Sequence, residues 1–259
     1  MTDNTITTIA DFEKIVSNIR SGTLYESYWE LFRGQPKNTY ELKSGISRYA
    51  EKSDDLRTLE FNIMKEFRQL INKSANPEKF IYLSKSKSNY ENDWRWFEQI
   101  QHYRLPTRLI DWTTNPKVAL FFAVKKNFDD DAQFWIFKSP LSWSCDNHFD
   151  FNPFANNLDI ISNSSFYIKK KYEDKIAEKR RGFQDGKFTI QDYDKSLIPL
   201  EKQAHIRNRL IKYIIPYSYK KKFLDYLKKS NITEDTIYVQ YDSEIENLIL
   251  QIKRKYDFK

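Results

Sequence analysis

Apolar and polar positions alternate along this chain with two periods, and each period marks a kind of element. Phe12, Ile15, Val16 and Ile19 recur at i, i+3, i+4 and i+7 and predict an amphipathic helix over 9–20. The aromatic run Tyr28 to Arg33, halted by Gly34 and Pro36, predicts a strand. Residues 55–72 are helical, with Leu59, Ile63, Phe67, Leu70 and Ile71 as one stripe. Residues 73–90 are polar and read as a loop, and 91–103 as a helix that delivers Gln101 and His102 to the next loop. Further on, strands are predicted over 133–138, 187–190, 206–215 and 236–239, and an irregular excursion over 139–165. Helices are predicted over 218–229 and after Ser243, where Ser243 and Glu246 have capping-box spacing.

The densest pattern is Gln101 to Val124, QHYRLPTRLIDWTTNPKVALFFAV. Within it a strand would put Arg108, Ile110 and Trp112 on one face and Thr107, Leu109 and Asp111 on the other. Asn115 suits a helix N-cap and Pro116 the first helical position. Val118 to Val124 is wholly apolar, so that helix should be buried nearly all round. Asp111 and Thr113 then lie at a strand end facing a helix N-terminus, a common setting for a phosphate-bearing ligand.

Composition narrows the class. The 259 residues include 16% aromatics and only five glycines, which favours regular elements over glycine-rich loops. Helices and strands mix without regular alternation, and no linker or repeat interrupts them. The expectation is one α+β domain over 1–259. The formal net charge of +7 fits a solvated lysine surface or an anionic partner. The segment 169–181 concentrates seven Lys or Arg against three acids. A lone cysteine, Cys145, excludes an internal disulfide and a cysteine metal cluster and fits a reducing cytoplasm. No apolar run reaches ~18–20 residues, so no membrane span is expected. The N-terminus lacks the basic start and apolar core of a signal peptide. Three scattered histidines and no compact Asp/Glu motif argue against a metal site or a nuclease.

Three blocks resemble the FRG domain family: Phe32-Arg33-Gly34, the long block from Gln101 to Ala123, and RxxxQxGxFTI from Arg180 to Ile190. The motif core spans roughly 26–190, with a strand–helix part over 204–255. Arg104 departs from the family, which usually has glycine there. The FRG domain in turn resembles, distantly, the ADP-ribosyltransferases. That resemblance implies a split β-sheet core with flanking helices and NAD⁺ as substrate, with no metal.

Carried over residue by residue, the resemblance gives Arg33 the NAD⁺ phosphates, and Gln35, Arg108 and Thr113 the nucleotide and ribose pocket. His102 and Tyr103 would flank the nicotinamide, Tyr103 by stacking. In the third block, where those enzymes carry a glutamate, this chain has Arg180. Gln184 is the nearest neutral group, and Glu178 stands two residues upstream. An arginine cannot stabilise an oxocarbenium-like state, so Asp111 is the expected carboxylate. The implied activity is mono-ADP-ribosyl transfer by a toxin or phage-defence effector. The acceptor is a nucleic acid, RNA before DNA, or a protein, and an antitoxin or regulatory protein is an expected partner. Lys169–Arg181 and Lys220–Lys222 would supply phosphate contacts, and Tyr90, Trp94 and Trp96 either stack bases or pack in the core. The alternative is a nucleotide- or nucleic-acid-binding module without chemistry.

Overall fold

The computed structural model describes residues 4–21, 28–74, 90–140, 152–155, 161–163, 186–238 and 243–258. In chain order the elements begin α1 (Ile9–Ser21), β1 (Tyr28–Gln35), α2 (Ser53–Lys73), α3 (Glu91–His102), β2 (Ile110–Thr113) and α4 (Pro116–Val124). They continue β3 (Ala132–Pro140), β4 (Ile161–Asn163), β5 (Gly186–Ile190), α5 (Tyr193–Ser196), α6 (Ala204–Arg207) and β6 (Leu210–Ile215). Three helices close the chain: α7 (Lys220–Lys229), α8 (Glu234–Ile237) and α9 (Ser243–Lys255). The fold class is α+β, built on a six-stranded sheet of order β4-β5-β2-β1-β3-β6. Every named strand pair is antiparallel.

The sheet is unevenly sewn. β1 runs against β3 from Tyr28↔Pro140 to Gln35↔Gln133 without a break. β2 pairs with β5 along its whole length, from Ile110↔Thr189 to Thr113↔Gly186. Between β1 and β2 the register holds one pair, Phe32↔Thr113. The sheet is therefore two three-stranded halves joined at a point.

Each half carries its own helical cover on one face. Phe32, Phe134 and Ile136 pack with α1, α4 and α7 through Phe12, Leu120, Phe121 and Phe223. Ile190 packs with α2, α3 and α9 through Phe67, Phe97, Ile249 and Ile252. The other face is a smaller apolar group of Leu31, Ile110, Trp112, Trp135 and Phe137 under Leu42, Leu200 and Ile206.

Local chemistry explains the helix ends. Thr8 and Asp11 exchange bonds at the start of α1: the Thr8 N–H donates to Asp11 Oδ2 at 2.9 Å, and the Asp11 N–H to Thr8 Oγ1 at 3.0 Å. Asn115 caps α4 as its residue type predicts, accepting the Lys117 N–H at 3.1 Å with Pro116 in the first turn. From there α4 is buried on nearly every side, including Val118, Ala119, Leu120, Ala123 and Val124.

Four expectations need correction. The strand expected to include Thr107–Leu109 begins only at Ile110. Residues 206–209, expected to be strand, belong to the short helix α6 and the turn after it. Of the strand expected over 236–239, Thr236 and Ile237 belong instead to helix α8, because Thr233 and Thr236 form a reciprocal cap that closes a helical turn; Tyr238 is its C-cap and Val239 lies outside the described residues. Gln133 to Lys138 is a strand, but it does not alternate between core and solvent: both faces are covered, so five of its six residues are buried. Most of the expected loop 73–90 and excursion 139–165 lies outside the described residues.

Candidate functional site

Arg33 occupies the place where the two half-sheets part. One residue beyond the single β1–β2 pair, Arg33 Nη1 donates to the Asp111 carbonyl at 2.5 Å. A side chain thus satisfies a strand carbonyl next to the end of the β1–β2 ladder. Arg33 Nε is buried with no hydrogen-bond partner among the described residues. Burial pushes the guanidinium below its usual pKa; the charge of Asp111 opposes that shift, and Arg48 adds to it.

The Asp111 carboxylate itself lies on the other face. Ile110 and Trp112, its neighbours, both belong to the Leu31–Trp135 group, so alternation turns Asp111 toward the helices. Arg33 stands between Phe32 and Gly34, which face α4, and so points the opposite way. On the helical side Gln101 Nε2 donates to Asp111 Oδ2 at 2.7 Å. Thr107 Oγ1 donates to Gln101 Oε1 at 2.7 Å and accepts the Leu109 N–H at 3.1 Å. The carboxylate, which can only accept, fixes which end of the Gln101 amide it meets, and the threonine hydroxyl donates to the other end. The arginine and the aspartate of the two motifs therefore meet, but through the aspartate's backbone.

Gly34 explains why the FRG turn needs its glycine. A Cβ there would stand 1.9 Å from the Ala119 carbonyl oxygen and 2.5 Å from the Ala123 nitrogen. Helix α4 presses directly onto β1, with alanines on the helix and glycine on the strand making the room.

The end of α3 is also specific. The Arg104 N–H donates to the Gln101 carbonyl at 3.0 Å and the Leu105 N–H to the Ile100 carbonyl at 3.1 Å. These are the two bonds of a Schellman motif, and the buried Ile100 and Leu105 supply its apolar contact. The motif needs a left-handed residue, and Arg104 adopts φ 61°. The family's usual glycine would sit there without strain. The Arg104 guanidinium lies over the Tyr238 ring at 4.7 Å.

Arg108, expected to shape the nucleotide pocket, is wholly buried elsewhere. Its Nε donates to Glu60 Oε2 at 2.6 Å, its backbone N–H to Glu60 Oε1 at 3.0 Å, and Nη1 to the Gln191 carbonyl at 2.6 Å. Nη2 donates to the Pro153 carbonyl. The guanidinium also stacks 3.8 Å from the centre of the Tyr193 ring. Burial, and then the nearby Glu60 carboxylate, push the Tyr193 phenol upward. Glu60 was not anticipated. The signal was present: it lies on the buried stripe of α2 with Leu56, Ile63, Met64 and Phe67. A carboxylate on an apolar stripe calls for a buried cation.

The remaining expected residues divide in the same way. Gln35 is buried and donates to the Glu41 carbonyl at 3.1 Å, holding the loop after β1. Tyr103 packs in the core against Phe67, ring centres 5.8 Å apart, rather than standing open for stacking. His102 meets Tyr103 edge-on at the end of α3. Thr113 Oγ1 accepts the Asn115 N–H at 3.0 Å and so orients the cap of α4. Trp94 and Trp96 are core residues. Lys220, expected on the basic surface, is buried and donates to the carbonyls of Pro36, Lys126 and Asn127. Gln184, Glu178, Arg180 and Lys169–Arg181 lie outside the described residues. A cavity of about 150 Å³ lined by Ser53, Asp54, Arg57, Tyr193 and Asp194 opens near the start of α2, away from Arg33 and Asp111. No group of three or more His, Cys, Asp or Glu among the described residues is placed to hold a metal ion. No helix there is long and apolar enough to cross a membrane.

In this α+β fold, Arg33 of the Phe-Arg-Gly stretch grips the carbonyl of Asp111 in β2, beside the helix α4 capped by Asn115 and Pro116. The FRG-domain family model matches residues 29–132, from the second residue of β1 to the first of β3. No curated protein and no solved structure matches the chain.

Proposed function

We propose that the chain binds NAD⁺ where the sheet parts and transfers its ADP-ribose to a macromolecular acceptor, RNA before DNA or protein, in the setting of a toxin or defence effector. The observation that carries this reading is Arg33: a guanidinium at the parting, with a buried Nε and one bond to the Asp111 carbonyl. Such a group suits a phosphate oxygen, which offers the acceptor that Nε lacks. The parting of the sheet into two halves also agrees with the split core that the ADP-ribosyltransferase resemblance implies. In the reaction, the bond between nicotinamide and its ribose breaks and an acceptor heteroatom bonds to that ribose carbon. Nicotinamide leaves with the bonding pair, and the acceptor's proton goes to a base. Asp111, held by Gln101 on the face opposite Arg33, is the carboxylate assigned to the developing cation, so in this reading the dinucleotide passes through the parting from one face to the other.

One observation favours a second reading. The Asp111 carboxylate points to the face opposite the Arg33 guanidinium, so a ligand held by Arg33 on its own face meets no Asp111 carboxylate. The domain would then hold a nucleotide without chemistry. Incubation with radiolabelled NAD⁺ and with cellular RNA, DNA and protein separates the two. Transfer predicts nicotinamide release and label on one macromolecule class, both reduced at least tenfold in Asp111→Asn. Label on none, with no nicotinamide released, selects the binding module.

A further inference from the structure

We infer that Arg104 and Lys125, set against one tyrosine ring on the helical side of the sheet, contact the phosphate backbone of a single-stranded RNA acceptor. The inference deepens the reading above and rests on it only for the transfer that follows binding.

The ring is Tyr238, the C-cap of α8. The Arg104 guanidinium lies 4.7 Å from its centre and the Lys125 ammonium 4.1 Å. Lys125 also stands 5.1 Å from the centre of the Phe122 ring, which meets Tyr238 edge-on at 6.1 Å. Three elements supply the group: the turn after α3, the C-terminal end of α4 and the end of α8. Tyr103 and Leu105, on either side of Arg104, belong to the core under α2, α3 and α9. Phe122 and Tyr238 pack against the core under α1, α4 and α7. The Arg104–Tyr238 contact therefore crosses from one helical cover to the other.

The turn itself does not call for an arginine. It needs a left-handed residue, at φ 61°, and glycine takes that backbone without strain. Core packing does not call for one either, because Arg104 is exposed. Strain kept for the sake of a surface charge points to a use for that charge. The field it makes is felt nearby: burial, and then the charge of Arg104, hold the Lys253 ammonium of α9 below its usual pKa. The acids of α8, Glu234 and Asp235, stand at the other end of that helix, a turn before Tyr238.

Gln101 ties this cluster to the carboxylate. Its carbonyl accepts the Arg104 N–H at 3.0 Å, and its amide donates to Asp111 Oδ2 at 2.7 Å. Cluster and carboxylate thus share the helical side of the sheet, and Arg33 stands on the other. An RNA strand with phosphates at Arg104 and Lys125 brings its neighbouring nucleotides toward Asp111, leaving the face of Arg33 to the NAD⁺ phosphates. Cations interleaved with aromatic rings suit a flexible single strand, which bends to follow them.

Fluorescence anisotropy of a labelled single-stranded RNA with the full chain, in the absence of NAD⁺, tests the contact. The variants are Arg104→Gly, whose backbone the turn accepts, and Lys125→Gln, both checked by circular dichroism. Each is expected to weaken RNA binding about fivefold and to make the slope of log affinity against log salt shallower by about 0.7, the share of one phosphate contact on a single strand. A purely structural role would leave that slope where it was. Wild-type affinity and slope in Arg104→Gly, polyglutamate bound as tightly as RNA, or no RNA binding by the wild type overturns the contact. Nicotinamide release without RNA is scored separately and is expected to be equal in all three proteins, so failure of the transferase reading is told apart from failure of this one.

Discussion

Two arginines of the chain, Arg33 and Arg108, occupy opposite kinds of site. Arg108 is sealed in the core with its backbone N–H, Nε, Nη1 and Nη2 all bonded, a carboxylate against it and a phenol ring beneath it. Arg33 is half-buried at the parting of the sheet, with one bond and a buried Nε that lacks an acceptor among the described residues. A saturated arginine holds a fold together. An arginine kept short of acceptors is poised for a ligand that brings them.

Mutations should separate these two roles. The largest effect is expected for Glu60→Ala, which leaves the Arg108 charge buried without its carboxylate and should lower stability by roughly 3–5 kcal/mol in urea unfolding. Next is Gly34→Ala, whose Cβ meets the backbone of α4. Backbone cannot swing aside as a side chain can, so a loss of roughly 3 kcal/mol is expected, at the upper end of ordinary overpacking. If Gly34→Ala unfolds at the wild-type urea midpoint, the close seating of α4 on β1 is wrong.

Arg33→Gln removes one hydrogen bond and should change stability by only about 1–1.5 kcal/mol. It should nonetheless abolish most NAD⁺ binding. A loss of stability as large as that of Glu60→Ala would put Arg33 in the same class as Arg108 and erase the contrast. The smallest change is expected for Arg104→Gly. It relieves about 1–2 kcal/mol of left-handed strain and gives up about 0.5–1 kcal/mol of contact with Tyr238. The net result should be a slightly higher midpoint in thermal unfolding, with NAD⁺ binding unchanged.

The same contrast shows what could be read along the chain. Elements governed by local chemistry were legible: the Asn115-Pro116 start of α4 and its largely buried apolar run; the glycine position that Arg104 fills was visible only through the family resemblance. The strand of the FRG turn was legible too, although Gly34 did not end it: β1 continues to Gln35, since glycine was needed for packing and not for a turn. What periodicity could not give was partnership across the chain. Arg108 and Glu60 lie 48 residues apart, and Arg33 and Asp111 lie 78 apart. Arg108 read as a pocket residue from the resemblance, and the periodicity placed it in a strand with Ile110 and Trp112. The strand starts at Ile110, and Arg108 turns into the core. For the expected strand over 236–239, β-branched and aromatic residues suggested extension, and a two-threonine cap outweighed them.

The most direct test of the central claim is nicotinamide release from NAD⁺ by wild-type protein and by Arg33→Gln, both shown to be folded by circular dichroism. The account predicts release by the wild type and a loss of at least tenfold in the variant. Equal release by the two proteins would contradict it, because the guanidinium at the parting of the sheet would then have no part in holding the dinucleotide.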